Sequence, residues 1–205
     1  TLSIEDAYRF AIGEPLSTPS GEVMQLSRPL DFVAITDHAE GFGTRTHCDS
    51  PDLSLGERAA CWLANEPNPI IFQTLVKAVR GTATPGDPSK PAGVYQRTTR
   101  QPPKPGAFPT CRVGDGAAER CYENAANDWA RYIGLANKYN KPGKLTTLIG
   151  YEYSPGMPDQ GKHHRNIIFR SNTVPERALS SLDVPNAIEL WQGLEATCVE
   201  DCDFL

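Results

Sequence analysis

With 205 residues, 39% of them hydrophobic and 22% charged, the chain has the size and composition of one folded domain with a substantial core. No apolar run approaches the roughly 18–20 residues that a membrane-spanning helix needs. The formal net charge of -5 excludes a broad electrostatic attraction to nucleic acid.

In chain order, Ser3-Ile4-Glu5-Asp6 opens a short helix: Ser3 can cap, acids occupy the first turn and Gly13 ends it, with Ala7, Phe10 and Ala11 as the apolar stripe. The start, "TLSIEDAYRF", has neither an initiator methionine nor the basic and apolar regions of a leader, and reads as a mature chain or a piece of a longer one. A loop with Pro15, Pro19 and Gly21 leads to a strand over 31–36, apolar on both faces, which suits a parallel sheet covered by helices. Helical patterns follow over 56–63 and 68–80, the second with Ile71, Leu75 and Val79 on one face.

From 81 to 116 the periodicity stops among Pro85, Pro88, Pro91, Pro102, Pro103, Pro105 and Pro109, which marks a long irregular insertion within a single domain. Asp115 is positioned to cap a long helix to about Tyr139, with Trp129, Ile133 and Ala136 at helical spacing, stopped by Pro142-Gly143. A strand over 145–149 ends in Gly150-Tyr151-Glu152-Tyr153, and a further strand follows His163-His164. Pro185 sits at a plausible first position of a last helix with Ile188, Trp191 and Leu194 on its face, and Asp203-Phe204-Leu205 reads as the start of a strand. This order of elements favours an α/β domain.

The six cysteines form no C-x-x-C, so neither a zinc ribbon nor a thioredoxin-like redox motif is present. Six separate buried thiols are one reading. Short disulfide loops are preferred, because four of the six lie in Pro/Gly-rich or polar stretches; the expected pairs are Cys48–Cys61, Cys111–Cys121 and Cys198–Cys202. Such bridges imply an oxidising compartment, periplasmic or extracellular.

Reactive residues gather at strand ends. Asp37 and His38 follow "FVAIT", Glu152 follows "LTTLIGY", and His163 and His164 precede "RNIIF". Ligands of parallel α/β sheets collect at the carboxyl ends of strands. The two histidines share that mouth only if their strand runs antiparallel or the preceding turn folds back. Histidine nitrogen and carboxylate oxygen are ligands for zinc, manganese or iron, and a carboxylate can bridge two ions that activate water. Taken singly, each residue has an ordinary reading: a turn at Thr36-Asp37-His38, a solvated Glu152 or one paired with Arg165, surface histidines at 163 and 164. His47, beside Cys48 in a polar loop, reads as a surface or disulfide-adjacent residue. There is no nucleophile elbow, no phosphate-binding glycine loop and no dinucleotide fingerprint.

"PLDFVAITDHAEGFG", "LIGYEYS" and "HHRNIIFRS" together resemble motifs of the polymerase-and-histidinol-phosphatase (PHP) superfamily, and "IEDAYRFAIGEPL" and "NAIELWQGLE" extend the likeness to a secreted PHP-like branch over essentially the whole chain. The resemblance implies an incomplete distorted (β/α)7 barrel with metal-dependent phosphoesterase activity on a small-molecule substrate. It implies two or three divalent ions (zinc, manganese or iron) in the complete protein, and water activated between them. Carried over by position, His38 and His164 are metal ligands, Glu152 a bridging ligand, Asp37 a ligand or an orienting neighbour, His163 a neighbour and Arg165 a phosphate contact. The superfamily's opening His-x-His and its later histidine and Asp-x-His are not in this sequence, so the chain alone is expected to be metal-poor or inactive. A secreted, non-catalytic binding module on the same scaffold is the alternative. Nucleic-acid processing is disfavoured by the acidic charge and the expected disulfides.

Overall fold

The computed structural model describes residues 2–65, 111, 113–155, 164–184 and 186–205. The expected helix over 68–80, His163 and all of the 81–116 insertion except Cys111 and 113–116 lie outside the described residues. Within them the chain is α/β, as its element order implies, and the strands form small open sheets with no closed barrel.

Helix α1 (Ile4–Ala11) begins at a capping box, in which the Ser3 hydroxyl accepts from Asp6 N–H and the Asp6 carboxylate accepts from Ser3 N–H. Its buried positions are Tyr8 and Ala11, not the Ala7–Phe10–Ala11 stripe expected from sequence, because Tyr8 stacks on Tyr139 with ring centroids 5.2 Å apart. A two-residue hairpin pair, β1 (Leu16–Ser17) and β2 (Val23–Met24), leads to β3 (Phe32–Ala34). Helices α2 (Thr44–Cys48), α3 (Leu55–Asn65) and α4 (Ala117–Tyr139) follow, then β4 (Thr146–Tyr153), β5 (Arg165–Phe169) and α5 (Ala187–Thr197).

The organising strand is β4. It pairs in parallel with β3 and antiparallel with β5, giving the order β3-β4-β5. Side chains alternate across a strand, and here the alternation divides two environments. Thr147, Ile149, Tyr151 and Tyr153 are buried against the helical layer; Leu148 and Glu152, on the other face, are only partly covered. Trp129 of α4 is fully buried on the covered face, edge-on to Tyr151, and its indole N–H donates to Pro175 O at 2.9 Å. The Thr147 hydroxyl donates to Ala136 O of the same helix. The expectation of a sheet covered on both faces is thus corrected: Phe32 on the outer strand is 69% exposed. Residues 203–205 do continue as sheet, exchanging backbone hydrogen bonds with Ile168 and Arg170.

Two helix termini also differ from expectation. Gly116, in the left-handed region at φ 68°, precedes α4 in place of Asp115, whose carbonyl instead accepts from Arg120. In α5, Asn186 caps, and the buried face is Leu190, Gly193 and Leu194; Ile188 and Trp191 are exposed, with Trp191 stacked on Phe204.

All three disulfides form in the expected pairing, Cys48–Cys61, Cys111–Cys121 and Cys198–Cys202. Loop-closure entropy grows with loop length, so breaking Cys48–Cys61 (sequence separation 13) by a double Ser substitution should cost about 3 kcal/mol, against about 2 for Cys198–Cys202 (separation 4). Urea unfolding of the two double variants ranks them, and a reversed order would discount the loop-entropy account.

Helices α3 and α4 are clamped by Glu57. One carboxylate oxygen closes a capping box with Ser54; the other accepts from Arg120 of α4. Hydrogen bonds from Ser54, and then the Arg120 guanidinium, draw the Glu57 carboxyl down to about 2 from an ordinary 4.5. A carboxyl that is depressed on folding stabilises above its unfolded value and loses that contribution as pH falls through its folded one. Stability should therefore decline between pH 4.5 and about 2, and Glu57→Gln should flatten that decline in acid titrations followed by circular dichroism. His47 packs beside this clamp, 1% exposed and 3.8 Å from Glu57 Oε1. It adjoins the Cys48 bridge as expected but is not a surface residue, and burial holds its pKa below the usual value.

Candidate functional site

The polypeptide leaving β3 stays alongside β4 as far as His38, which forms a parallel bridge with Glu152, and Glu152 N–H donates to Asp37 O at 2.9 Å. Directly paired residues share a sheet face, so His38 and Glu152 emerge together on the less covered one. On the far side of β4, Glu152 pairs with Asn166 of antiparallel β5. His164, two residues before Asn166, returns to the same face and the same end of the sheet. The condition for a shared mouth, an antiparallel final strand, is therefore met.

The floor beneath these three side chains is narrow. Gly150, two residues before Glu152 on its face, lies so close to β5 that an added Cβ would sit 2.9 Å from Ile167 O and from Ile168 Cδ1. Glycine here lets neighbouring strands close under the cluster.

His38, Glu152 and His164 each turn a potential ligand atom into one space, all within 4.8 Å of one another. His38 Nε2 is 3.5 Å from Glu152 Oε1, and the two imidazoles meet edge to face with centroids 5.3 Å apart. Glu152 Oε1 also accepts from the Ser154 hydroxyl at 2.6 Å and is in direct hydrogen-bond contact with His164 Nδ1. These neighbours, Ser154 first, hold the Glu152 carboxyl below the ordinary range, with the nearby His164 and His38 adding to the effect. The donor set suits a divalent ion. Two histidines and a carboxylate are a known three-ligand zinc combination that leaves open positions, and tetrahedral bonds of 2.0–2.1 Å separate ligand atoms by about 3.3–3.4 Å, close to the His38–Glu152 spacing, whereas the direct His164–Glu152 contact is closer than two ligands of one ion would lie.

The other expected site residues do not join them. Asp37 alternates to the covered face, where its carboxylate accepts from the Tyr132 hydroxyl of α4; burial and this bond together push the Tyr132 pKa up. Arg165 pairs with Tyr153, so its side chain starts on the opposite face from Glu152. Strand parity, not distance along the sequence, separates both from the cluster.

A sequence profile described as protein of unknown function (DUF3604) matches residues 1–205. The chain belongs to the DUF3604 family. No curated protein and no solved structure matches it.

In this DUF3604 chain the residues that sequence reasoning passed over are Ser154 and Glu40. Ser154 lies two positions beyond Glu152, where strand alternation returns a side chain to the same face, so its place was open to inference. Glu40 is positioned by the short 3-10 turn Ala39–Gly41 that begins just after His38. Its Oε1 accepts from the backbone N–H groups of Ser154 (3.0 Å) and Ser181 (2.9 Å), a pairing between distant segments that no local pattern announces.

Proposed function

We propose that the chain carries part of the metal centre of a PHP-type hydrolase, a metal-dependent phosphoesterase acting on a small phosphate ester. The observation that supports this reading most is the meeting of His38, Glu152 and His164 at one end of a parallel strand pair, at the positions where the PHP motifs would supply ligands. A divalent ion held there (zinc, manganese or iron) would supply Lewis acidity and an activated water. The chain's own residues prepare for it: Ser154 orients Glu152, and the hydrogen bonds around Glu152 favour its ionised, ligating form. The parallel β3–β4 pair with α4 packed on it is compatible with a segment of a distorted (β/α)7 barrel. The three disulfides fit an oxidising compartment, and we assign the protein to the periplasm or the exterior of the cell.

The test is elemental analysis of this chain and of the complete protein, both purified without chelator, followed by hydrolysis assays with p-nitrophenyl phosphate and its diester under each candidate metal. Stoichiometric metal with metal-dependent turnover supports a phosphoesterase. Metal without turnover in the complete protein leaves a binding module on the same scaffold as the better reading, and no metal there under replete conditions removes the centre altogether.

A further inference from the structure

Glu40 has two oxygens in very different circumstances. Oε1 is saturated by the two backbone donors from Ser154 and Ser181, which fix the carboxylate plane. Oε2 is buried and has no hydrogen-bond partner, and it faces His38 Nδ1 at 3.6 Å. A buried acceptor left without a donor is costly, so this oxygen exerts a preference on any nearby group that has a proton to place. His38 is such a group: a neutral imidazole carries one N–H, on Nδ1 or on Nε2, and the partners of each nitrogen decide which. On its other edge, His38 Nε2 faces Glu152 Oε1 at 3.5 Å, but that oxygen already has the Ser154 hydroxyl and His164 against it. Glu152 therefore has less need of the His38 proton than Glu40 has.

We propose that Glu40 is a positioning residue for His38: its free oxygen accepts from Nδ1–H, keeping the proton on Nδ1 and leaving Nε2, on the Glu152 side, as the unprotonated ligand atom. The importance of this for metal binding rests on the metal-centre reading above, whereas the tautomer is a property of the metal-free chain. With a metal bound, the arrangement would form a carboxylate–histidine–metal relay, in which the outer carboxylate fixes ring orientation and raises ligand basicity. The competing donors for Oε2 lie in the cavity behind it. Glu40 lines this space of about 20 Å³ together with Thr44 and Arg177, whose Oγ1 and Nε likewise lack partners, and it is large enough for one water.

The decisive measurement is a long-range 1H–15N correlation spectrum of the whole disulfide-bonded chain at pH 8.5, with the His38 signals assigned through His38→Gln. The expected result is the Nδ1–H tautomer in the wild type. Glu40→Gln keeps the size and the pinned oxygen but turns an NH2 donor towards Nδ1, and should switch His38 to the Nε2–H tautomer. An Nε2–H wild type, or a tautomer indifferent to the substitution, overturns the proposal, the second by assigning Oε2 to the cavity donors. Zinc titration then separates the two readings. If the wild type binds and Glu40→Gln binds 10–100-fold more weakly, both stand. Equal affinities overturn the positioning role. Failure of the wild type to bind zinc, with the tautomer switch observed, rules out a metal centre complete within this chain and leaves the Glu40–His38 pair standing.

Discussion

If Glu152 is a ligand as proposed, Glu152→Gln in the complete protein should weaken zinc or manganese binding by more than about 100-fold, beyond the 10–100-fold loss typical of an outer-shell partner. The substitution is nearly isosteric and preserves an oxygen for the Ser154 hydroxyl, so it isolates the charge. In the native chain the Glu152 carboxyl is held below the ordinary range by Ser154, with His164 and His38 contributing, and is ionised at neutral pH. Its folded-state pKa is depressed, so its contribution to stability is present above the unfolded value and disappears only as pH falls through the folded one. Removing the charge should therefore also cost some stability at neutral pH, separately from its effect on metal affinity. The side chain is 19% exposed, and its Oε1 is held by Ser154, His164 and His38. Isothermal titration with each metal, alongside urea unfolding of the same preparations, reads the two effects separately. An unchanged dissociation constant would remove Glu152 from the centre, and with it the main support for a hydrolase.

The largest expected loss of stability comes from a residue that carries no chemistry. Gly43 closes the segment that holds His38 and Glu40, and it occupies the left-handed region at φ 76°. A Cβ there would sit 2.2 Å from Cys121 O and 2.6 Å from Ala125 N, both backbone atoms of α4. A flexible side chain could swing aside; a helix backbone cannot. The Gly43 N–H also donates to Asp128 Oδ2 at 2.7 Å, so moving the segment away from α4 breaks that bond as well. Adding typical overpacking of about 1–3 kcal/mol to about 1–2 for a left-handed non-glycine backbone gives a loss of about 2–5 kcal/mol for Gly43→Ala. Gly21→Ala is the control. Gly21 is also at positive φ but has nothing within 4 Å of the added methyl, so it should show the backbone part alone. Similar denaturation midpoints for the two variants would mean that the close approach to α4 is not energetically important. Because Gly43 ends the segment that carries His38 and Glu40, its substitution should also reduce metal affinity without touching a ligand.

Much of the local structure was legible because its causes are local. Ser3 and Asp6 cap α1 through a three-residue spacing, and the cysteine pairs close loops short enough to favour their nearest partners. Trp129 and Ala136 mark the inner face of α4 by helical period. Where local reasoning failed, a distant group had intervened: Tyr139 draws Tyr8 into the core, and Phe204 offers Trp191 a stacking partner at the surface.

The sequence by itself put histidines and acids beside apolar runs with their ordinary readings open, and it was the resemblance to PHP motifs that singled out His38, Glu152 and His164, with Asp37, as expected ligands. Which of the reactive residues would meet was decided by the tertiary structure. The direction of β5 is a property of its pairing with β4, and that antiparallel pairing returns His164 to Glu152. Register then acts through parity: a shift of one residue moves a side chain to the other face, so Asp37 falls to Tyr132 and Arg165 to the side of Tyr153, though both adjoin residues of the cluster in sequence. Glu40 lies further still from local inference, because its orientation depends on N–H groups 114 and 141 residues away. Side-chain chemistry is written residue by residue, but its convergence depends on long-range hydrogen bonding between backbones.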